Sequence, residues 1–144
     1  MARPDVVITA FMDESAAEAL RAHWAVPYAA TLVVPRAGLL AALVGARALI
    51  VRNRTQGNTA LLAAAPGLVV VGRLGVGLDN IDLPACRARH IEVIPATGAN
   101  ALAVAEYVIA TAMVLLRGAY LSSAEVAAGN WPRPRLSGGR EIGG

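Results

Sequence analysis

Short apolar runs alternate with helix-like stretches along the first two thirds of the chain. Five runs are apolar and mostly β-branched, as buried strands are: 6–10, 26–28 (the weakest), 48–51, 68–71 and 91–94. Helices are predicted between them, the first capped by Asp13 and the second opened by Pro35: 13–23, 35–44, 59–65 and 83–89. Strands joined by such helices run parallel, so the pattern predicts an α/β fold with a doubly wound parallel sheet.

The pattern changes after Pro95. Asn100 is placed to cap a helix that runs to about Arg117 and is apolar nearly all round. A helix without a polar face has to be covered by other protein, so we expect contact with a second copy or another domain. Residues 131–144 contain prolines and glycines without periodicity, which predicts an extended arm or linker.

The run at 68–71 leads into a segment with glycine at positions 72, 75 and 77. Glycine permits a positive φ and leaves backbone N–H groups accessible to a ligand. A ligand cradle and a tight turn without a ligand both remain open. Asn80 stands where the dinucleotide-binding pattern Gly-x-Gly-x-x-Gly needs its third glycine. If a ligand binds, the spacing therefore favours a carboxylate over a pyrophosphate.

Composition narrows the class of protein. A chain of 144 residues fits one domain, and 56% apolar with only 4% aromatic residues favours helices packed on a sheet. The net charge of +3 comes from scattered arginines without any lysine, which argues against a nucleic-acid surface.

The chain also lacks other chemical signatures. Its one cysteine, Cys86, excludes an internal disulfide and suits a reducing cytoplasm. The longest apolar stretch, 101–116, is short for a membrane span and contains Glu106, so no membrane partner is expected. No His, Cys or carboxylate cluster has metal-ligand spacing, so no metal is expected.

Several motifs occur in an order that is typical of one enzyme family. They are Val51–Thr55, Ala64–Leu68 and Gly72–Asp82, then Asn100 with 104–106, and 129–131. On these motifs the sequence resembles the N-terminal half of the D-isomer-specific 2-hydroxyacid dehydrogenases, phosphoglycerate dehydrogenase in particular. Residues 95–100 also resemble the sulfolactate dehydrogenase branch.

The resemblance implies a domain organisation. Residues 1–96 would be the N-terminal part of a flavodoxin-like substrate-binding domain, 97–129 the crossover and dimerisation helices, and 130–144 an arm or linker ending before a Rossmann domain. The family's phosphate loop and catalytic arginine, glutamate and histidine lie beyond the segment that is similar here. We therefore expect no catalytic residue in this chain, no activity and no tight cofactor binding by the chain alone.

The implied function is that of a cytoplasmic homodimer that transfers hydride between NAD or NADP and a D-2-hydroxy acid or its 2-oxo acid. The alternative is a stand-alone flavodoxin-like module that binds an anionic metabolite or a protein partner without catalysis. A strand and a Gly-x-Gly-x-x-Gly loop encoded after residue 144 would favour the enzyme.

Arg52 and Arg54 flank Asn53 after the run at 48–51. Strand alternation would put both guanidinium groups on one side, where they suit a doubly anionic hydroxy acid. The resemblance implies a substrate-binding role for Arg52, Asn53 and Arg54, and solvated strand-end charge is the alternative for the two arginines.

The glycine segment has implied roles too. By resemblance, the N–H groups of Gly75, Val76 and Gly77 hold the substrate carboxylate, and Val76 also lies near the nicotinamide. Asn100 is expected both to cap its helix and to lie near the cofactor. Glu106 is expected to pair with an arginine.

Neither histidine is expected to be the catalytic base. His23 lies late in the first helix among residues with surface character. His90 follows a predicted helix where the family usually has glycine, and histidine tolerates a positive φ better than most residues. His90 is therefore predicted to end that helix.

Overall fold

The computed structural model describes residues 4–26 and 36–143. Four parallel strands form one sheet in the order β1-β2-β3-β4: β1 Val6–Ile8, β2 Ala48–Val51, β3 Val70–Arg73 and β4 Glu92–Pro95. The helices are α1 Glu14–Arg21, α2 Arg36–Leu43, α3 Thr59–Ala63, α4 Leu83–Ala88, α5 Ala101–Arg117, α6 Ser123–Ala127 and α7 Arg133–Leu136. The predicted parallel α/β fold is confirmed.

The sheet is packed on both faces because side chains alternate along each strand. In β2, Leu49 and Val51 are fully buried in a large cluster that includes residues of α2, α3 and α4. Ala48 and Ile50 of the same strand pack into a second cluster with Leu20 of α1. Each apolar side chain buried in this way contributes about 1.5–3 kcal/mol to folding.

Side chains capping helix starts fix several loops. Asp13 accepts hydrogen bonds from two N–H groups of α1, as predicted. Asn58 accepts one from Leu61 N at 3.0 Å and starts α3. Asp82 accepts one from Ala85 N at 3.0 Å and starts α4 directly after the glycine segment. His90 has a φ of 55°, which confirms its predicted helix-ending conformation.

The chain divides into two compact units, Met1–Ala99 and Asn100–Gly144. In the second unit α5 begins after Asn100, but the Asn100 side chain makes no capping hydrogen bond. None of the residues of α5 is buried. Glu106 is exposed and forms no ion pair with any described residue, so the expected arginine partner is not found.

Some predicted elements differ from the structure in their bounds or in their type, or lie largely outside the described residues. The strand predicted at 68–71 runs from Val70 to Arg73, because Leu68 still belongs to the turn after α3, where its N–H donates to Ala65 O. Residues 130–144 were predicted to be extended, but they contain α7. The prediction of a strand at 26–28 lies outside the described residues except for Val26, which is not in a strand.

Within the described part of the chain, no single helix has the length and apolar character needed to cross a membrane. Only α5 and the helical segment Tyr120–Ala127 taken together meet that test, and the chain bends by 57° between them.

Candidate functional site

Two loops lie side by side where β2 and β3 end. Residues 52–55, here called the arginine loop, follow β2, and residues 74–80, here called the glycine loop, follow β3. Leu74 N donates to Val51 O at 2.8 Å, so pairing continues to the start of both loops. Ligand sites of open α/β sheets lie at this carboxyl edge of the strands.

Arg52, Asn53 and Arg54 are all exposed. The argument that strand alternation orients the two arginines was wrong, because β2 ends at Val51 and the next residues form a bend. Their side chains form no ion pair with any described residue. The arginine loop thus offers two guanidinium groups to solvent, and its backbone, not the strand pleat, decides where they lie.

Asn80 joins the glycine loop to the arginine loop. Its Nδ2 donates to Arg52 O and to Thr55 O, both at 2.7 Å. The main chain adds a second link, because Gly57 N donates to Asn80 O at 2.7 Å and Asp82 N donates to Gly57 O at 2.9 Å. The two ends of the arginine loop are therefore held against the end of the glycine loop.

The loop after β1 holds the arginine loop from the other side. Thr55 Oγ1 donates to Thr9 Oγ1 at 2.8 Å, and Thr9 Oγ1 donates to Ile50 O at 3.2 Å. Segments that follow three neighbouring strands are thus tied together by side-chain hydrogen bonds at one edge of the sheet.

The glycine loop has one conformation that only glycine adopts easily. Gly75 has a φ of 152°, and its N–H donates to Arg73 O at 2.8 Å. That N–H is therefore already used within the loop. The N–H groups of Val76 and Gly77 form no hydrogen bond within the described part of the chain, and the Val76 side chain is 52% exposed. Of the three predicted N–H groups, two are available to a ligand.

Arg73 is a charged residue at this edge that sequence reasoning missed. Its Nη1 donates to Leu74 O at 2.9 Å, and its guanidinium lies where a Cβ on residue 75 would stand. Its buried Nε has no partner among the described residues. An arginine between two glycines at a strand end was the available signal, but the strand was predicted to end at Val71, before Arg73.

The Asp82 carboxylate, which follows the glycine loop, is ionised near neutral pH. The Thr59 hydroxyl, which donates to Asp82 Oδ2 at 2.7 Å, and the Ala85 N–H lower the pKa of Asp82. Burial raises the pKa of the Cys86 thiol, with Asp82 adding to the effect. Cys86 is buried and free, which fits an inert thiol in place of a nucleophile. Within the described residues, no group of three His, Cys, Asp or Glu could hold a metal ion.

Asn100 belongs to the second compact unit. Its predicted place near the cofactor stays a prediction, as do the ligand roles of the arginine and glycine loops.

The class that the fold defines is an α/β protein with a parallel sheet, and this sheet carries exposed arginines and an open glycine loop at its carboxyl edge. The model of the "D-isomer specific 2-hydroxyacid dehydrogenase, catalytic domain" matches residues 6–129, so the chain belongs to that family.

Two curated relatives show how the chain compares in length. The (S)-sulfolactate dehydrogenase of Chromohalobacter salexigens is 56% identical over 134 residues, which are 93% of this chain and 43% of the relative. The D-3-phosphoglycerate dehydrogenase of Mycobacterium leprae is 41% identical over 103 residues, which are 72% of this chain and 20% of the relative. The chain thus spans less than half the length of these relatives.

A solved structure has the same fold. The PH0520 protein of Pyrococcus horikoshii superposes with a TM-score of 0.78 at 26% identity, over 98% of this chain and 42% of that one.

Proposed function

We propose that this chain is the substrate-binding part of an NAD- or NADP-dependent oxidoreductase that interconverts an anionic 2-hydroxy acid and its 2-oxo acid. The observation that carries the proposal lies at one sheet edge. There the exposed Arg52 and Arg54 converge with the N–H groups of Val76 and Gly77, which bond to none of the described residues. Family membership and the sulfolactate and phosphoglycerate dehydrogenases among the relatives support the reaction class.

In this proposal the glycine loop binds the carboxylate. Oriented N–H groups without bulky side chains suit an oxyanion. The arginine loop binds the distal sulfonate or phosphate, because guanidinium groups match such oxyanions with two parallel hydrogen bonds. Held at both ends, the substrate would present its C2 atom in one orientation. Hydride chemistry at C2 would be supplied by a bound nicotinamide. Val76 is proposed to contact that group, and the same role is proposed for Asn100.

The test replaces Arg54 with alanine in a protein that joins this chain to a cofactor domain. Loss of one charge-assisted hydrogen bond costs about 1.5–3 kcal/mol, so the Michaelis constant for 3-sulfolactate should rise about tenfold to a hundredfold. Lactate, which lacks the distal charge, should be affected much less. Arg52→Ala, measured in parallel, shows which arginine contributes more.

Arg47→Ala is the matched control, because Arg47 is an exposed arginine at the opposite end of β2. Its Michaelis constants should stay unchanged. Equal losses on sulfolactate and lactate for Arg54→Ala would show that Arg54 supports the fold and does not bind the distal anion.

The chain by itself is proposed to lack dehydrogenase activity and tight cofactor binding. Calorimetry that detects micromolar binding of NADH to residues 1–144 would contradict this. We also propose a cytoplasmic location, on the support of the single buried thiol of Cys86, and no nucleic-acid partner.

We further propose that α5 lies at the contact between two copies of the protein. Support comes from its large exposed apolar side chains, which include Leu102, Tyr107, Val108 and Leu115, the first of them 73% exposed. An exposed apolar surface of this kind usually marks an interface.

A further inference from the structure

We propose that Asn80 is a positioning residue that sets the place of the arginine loop, and with it the selectivity for a substrate that carries a second anionic group. This inference rests on the proposed function. Asn80 would not touch the substrate; it would act through the main chain of residues 52–55.

The first step is the way Asn80 uses its amide. Both Nδ2 hydrogen bonds go to main-chain carbonyls of one loop, Arg52 O and Thr55 O, at 2.7 Å each. These carbonyls bracket Asn53 and Arg54. An amide NH₂ has two donors, and here one side chain uses both to span the loop.

The second step is that few other side-chain hydrogen bonds hold this loop, and the main-chain bonds of Gly57 to residues 80 and 82 fix the chain only two residues after it. Residues 52–55 belong to no strand or helix, and the side chains of Arg52, Asn53 and Arg54 are exposed. Within the described residues, the other side-chain hydrogen bond to the loop is the one that Thr55 Oγ1 donates to Thr9 Oγ1. Exposed loops with few internal bonds open at low free-energy cost, so removing the Asn80 donors should let the loop move.

The third step separates the two anion-binding elements. The start of the glycine loop is held by bonds that do not involve the Asn80 side chain. They include Leu74 N to Val51 O at 2.8 Å and Ala96 N to Gly75 O at 3.1 Å. Loss of the Asn80 amide should therefore displace the arginines and leave the carboxylate-binding N–H groups in place.

The test measures binding of 3-phosphoglycerate and of glycerate to the 144-residue chain by NMR titration. The two probes differ only in the phosphate. Asn80→Ala should weaken binding of 3-phosphoglycerate about tenfold, because tenfold corresponds to the loss of one to two ordinary hydrogen bonds, and should change glycerate binding less than twofold.

Arg89→Met is the matched control. Arg89 also donates to two main-chain carbonyls, Leu62 O and Ala65 O, but near the amino edge of the sheet. It should leave the ratio of the two affinities unchanged. Equal weakening of both probes by Asn80→Ala, or the same change of ratio in Arg89→Met, would overturn the inference.

Backbone relaxation measured by NMR distinguishes this inference from the proposed function. Asn80→Ala and the isosteric Asn80→Asp should both lower the order parameters of the Arg54 and Thr55 N–H groups, while that of Val71 in β3 stays high. If the wild-type chain does not prefer 3-phosphoglycerate, the proposed arginine role fails, yet relaxation still decides whether Asn80 holds the loop. Unchanged order parameters at Arg54 and Thr55 would refute the positioning role.

Discussion

Replacing Gly75 with alanine should destabilise the first compact unit more than the same change at Gly72 or Gly77. Gly75 has a φ of 152°, which L side chains rarely adopt, and its new Cβ would overlap Arg73 Nη1. A Cβ on Gly72 meets Ile50 Cγ1 at an ordinary 3.5 Å, and one on Gly77 meets the mobile end of Asp79 at 3.1 Å. The three glycines of this segment therefore differ in how well each position accepts an alanine side chain.

The magnitude follows from three contributions. Backbone strain at residue 75 costs about 1–3 kcal/mol. Moving Arg73 breaks its hydrogen bond to Leu74 O, which costs about 0.5–1.5 kcal/mol. Alanine also lowers the entropy of the unfolded chain, which offsets about 0.4–1 kcal/mol. The net loss is about 2 kcal/mol, or a fall of about 1 M in the urea midpoint for an ordinary slope.

Trp24 fluorescence during urea unfolding is the assay. The chain has two tryptophans, Trp24 in the first unit and Trp131 in the second, so a Trp131→Phe background reports the first unit alone. Gly72→Ala, inside β3, should be neutral or slightly stabilising, and Gly77→Ala should lie between the two. Equal midpoints for Gly75→Ala and Gly72→Ala would refute the argument from φ and from Arg73.

Leu62 of α3 is 1% exposed and lies in the core cluster with residues of the sheet, and Leu62→Ala should cost about 2–5 kcal/mol in the same urea assay; a loss below 1 kcal/mol would mean that the core refills the space. The folded-state pKa of Asp82 is lowered, so its stabilising effect should be full near neutral pH and be lost as the pH falls below about 3.8; Asp82→Asn should flatten this part of the pH profile. Val108→Asp should weaken the proposed contact between copies, which sedimentation in an analytical ultracentrifuge measures. A wild-type protein that sediments as a monomer at tens of micromolar, a concentration well above the dissociation constants of ordinary interfaces, would contradict that contact.

The paired arginines and the glycine segment could be found from the sequence because they are local patterns at the ends of apolar runs. The hydrogen bonds that join these two segments could not be found from the sequence. The contacts from Asn80 to Arg52 O and Thr55 O join residues 28 and 25 positions apart. The overlap of Arg73 with residue 75 depends on where β3 ends, which the apolar run misplaced by two residues.

The sequence by itself determined the α/β class, the parallel direction of the strands and the cap at Asp13. Each of these depends on periodicity or on a side chain reaching a main-chain group within three residues. Only the tertiary structure decided that the Gly75 N–H bonds within its own loop, while those of Val76 and Gly77 bond to no residue in the described ranges 4–26 and 36–143. Register between parallel strands and bonds between distant loops are set by packing of the whole sheet, which no local pattern encodes.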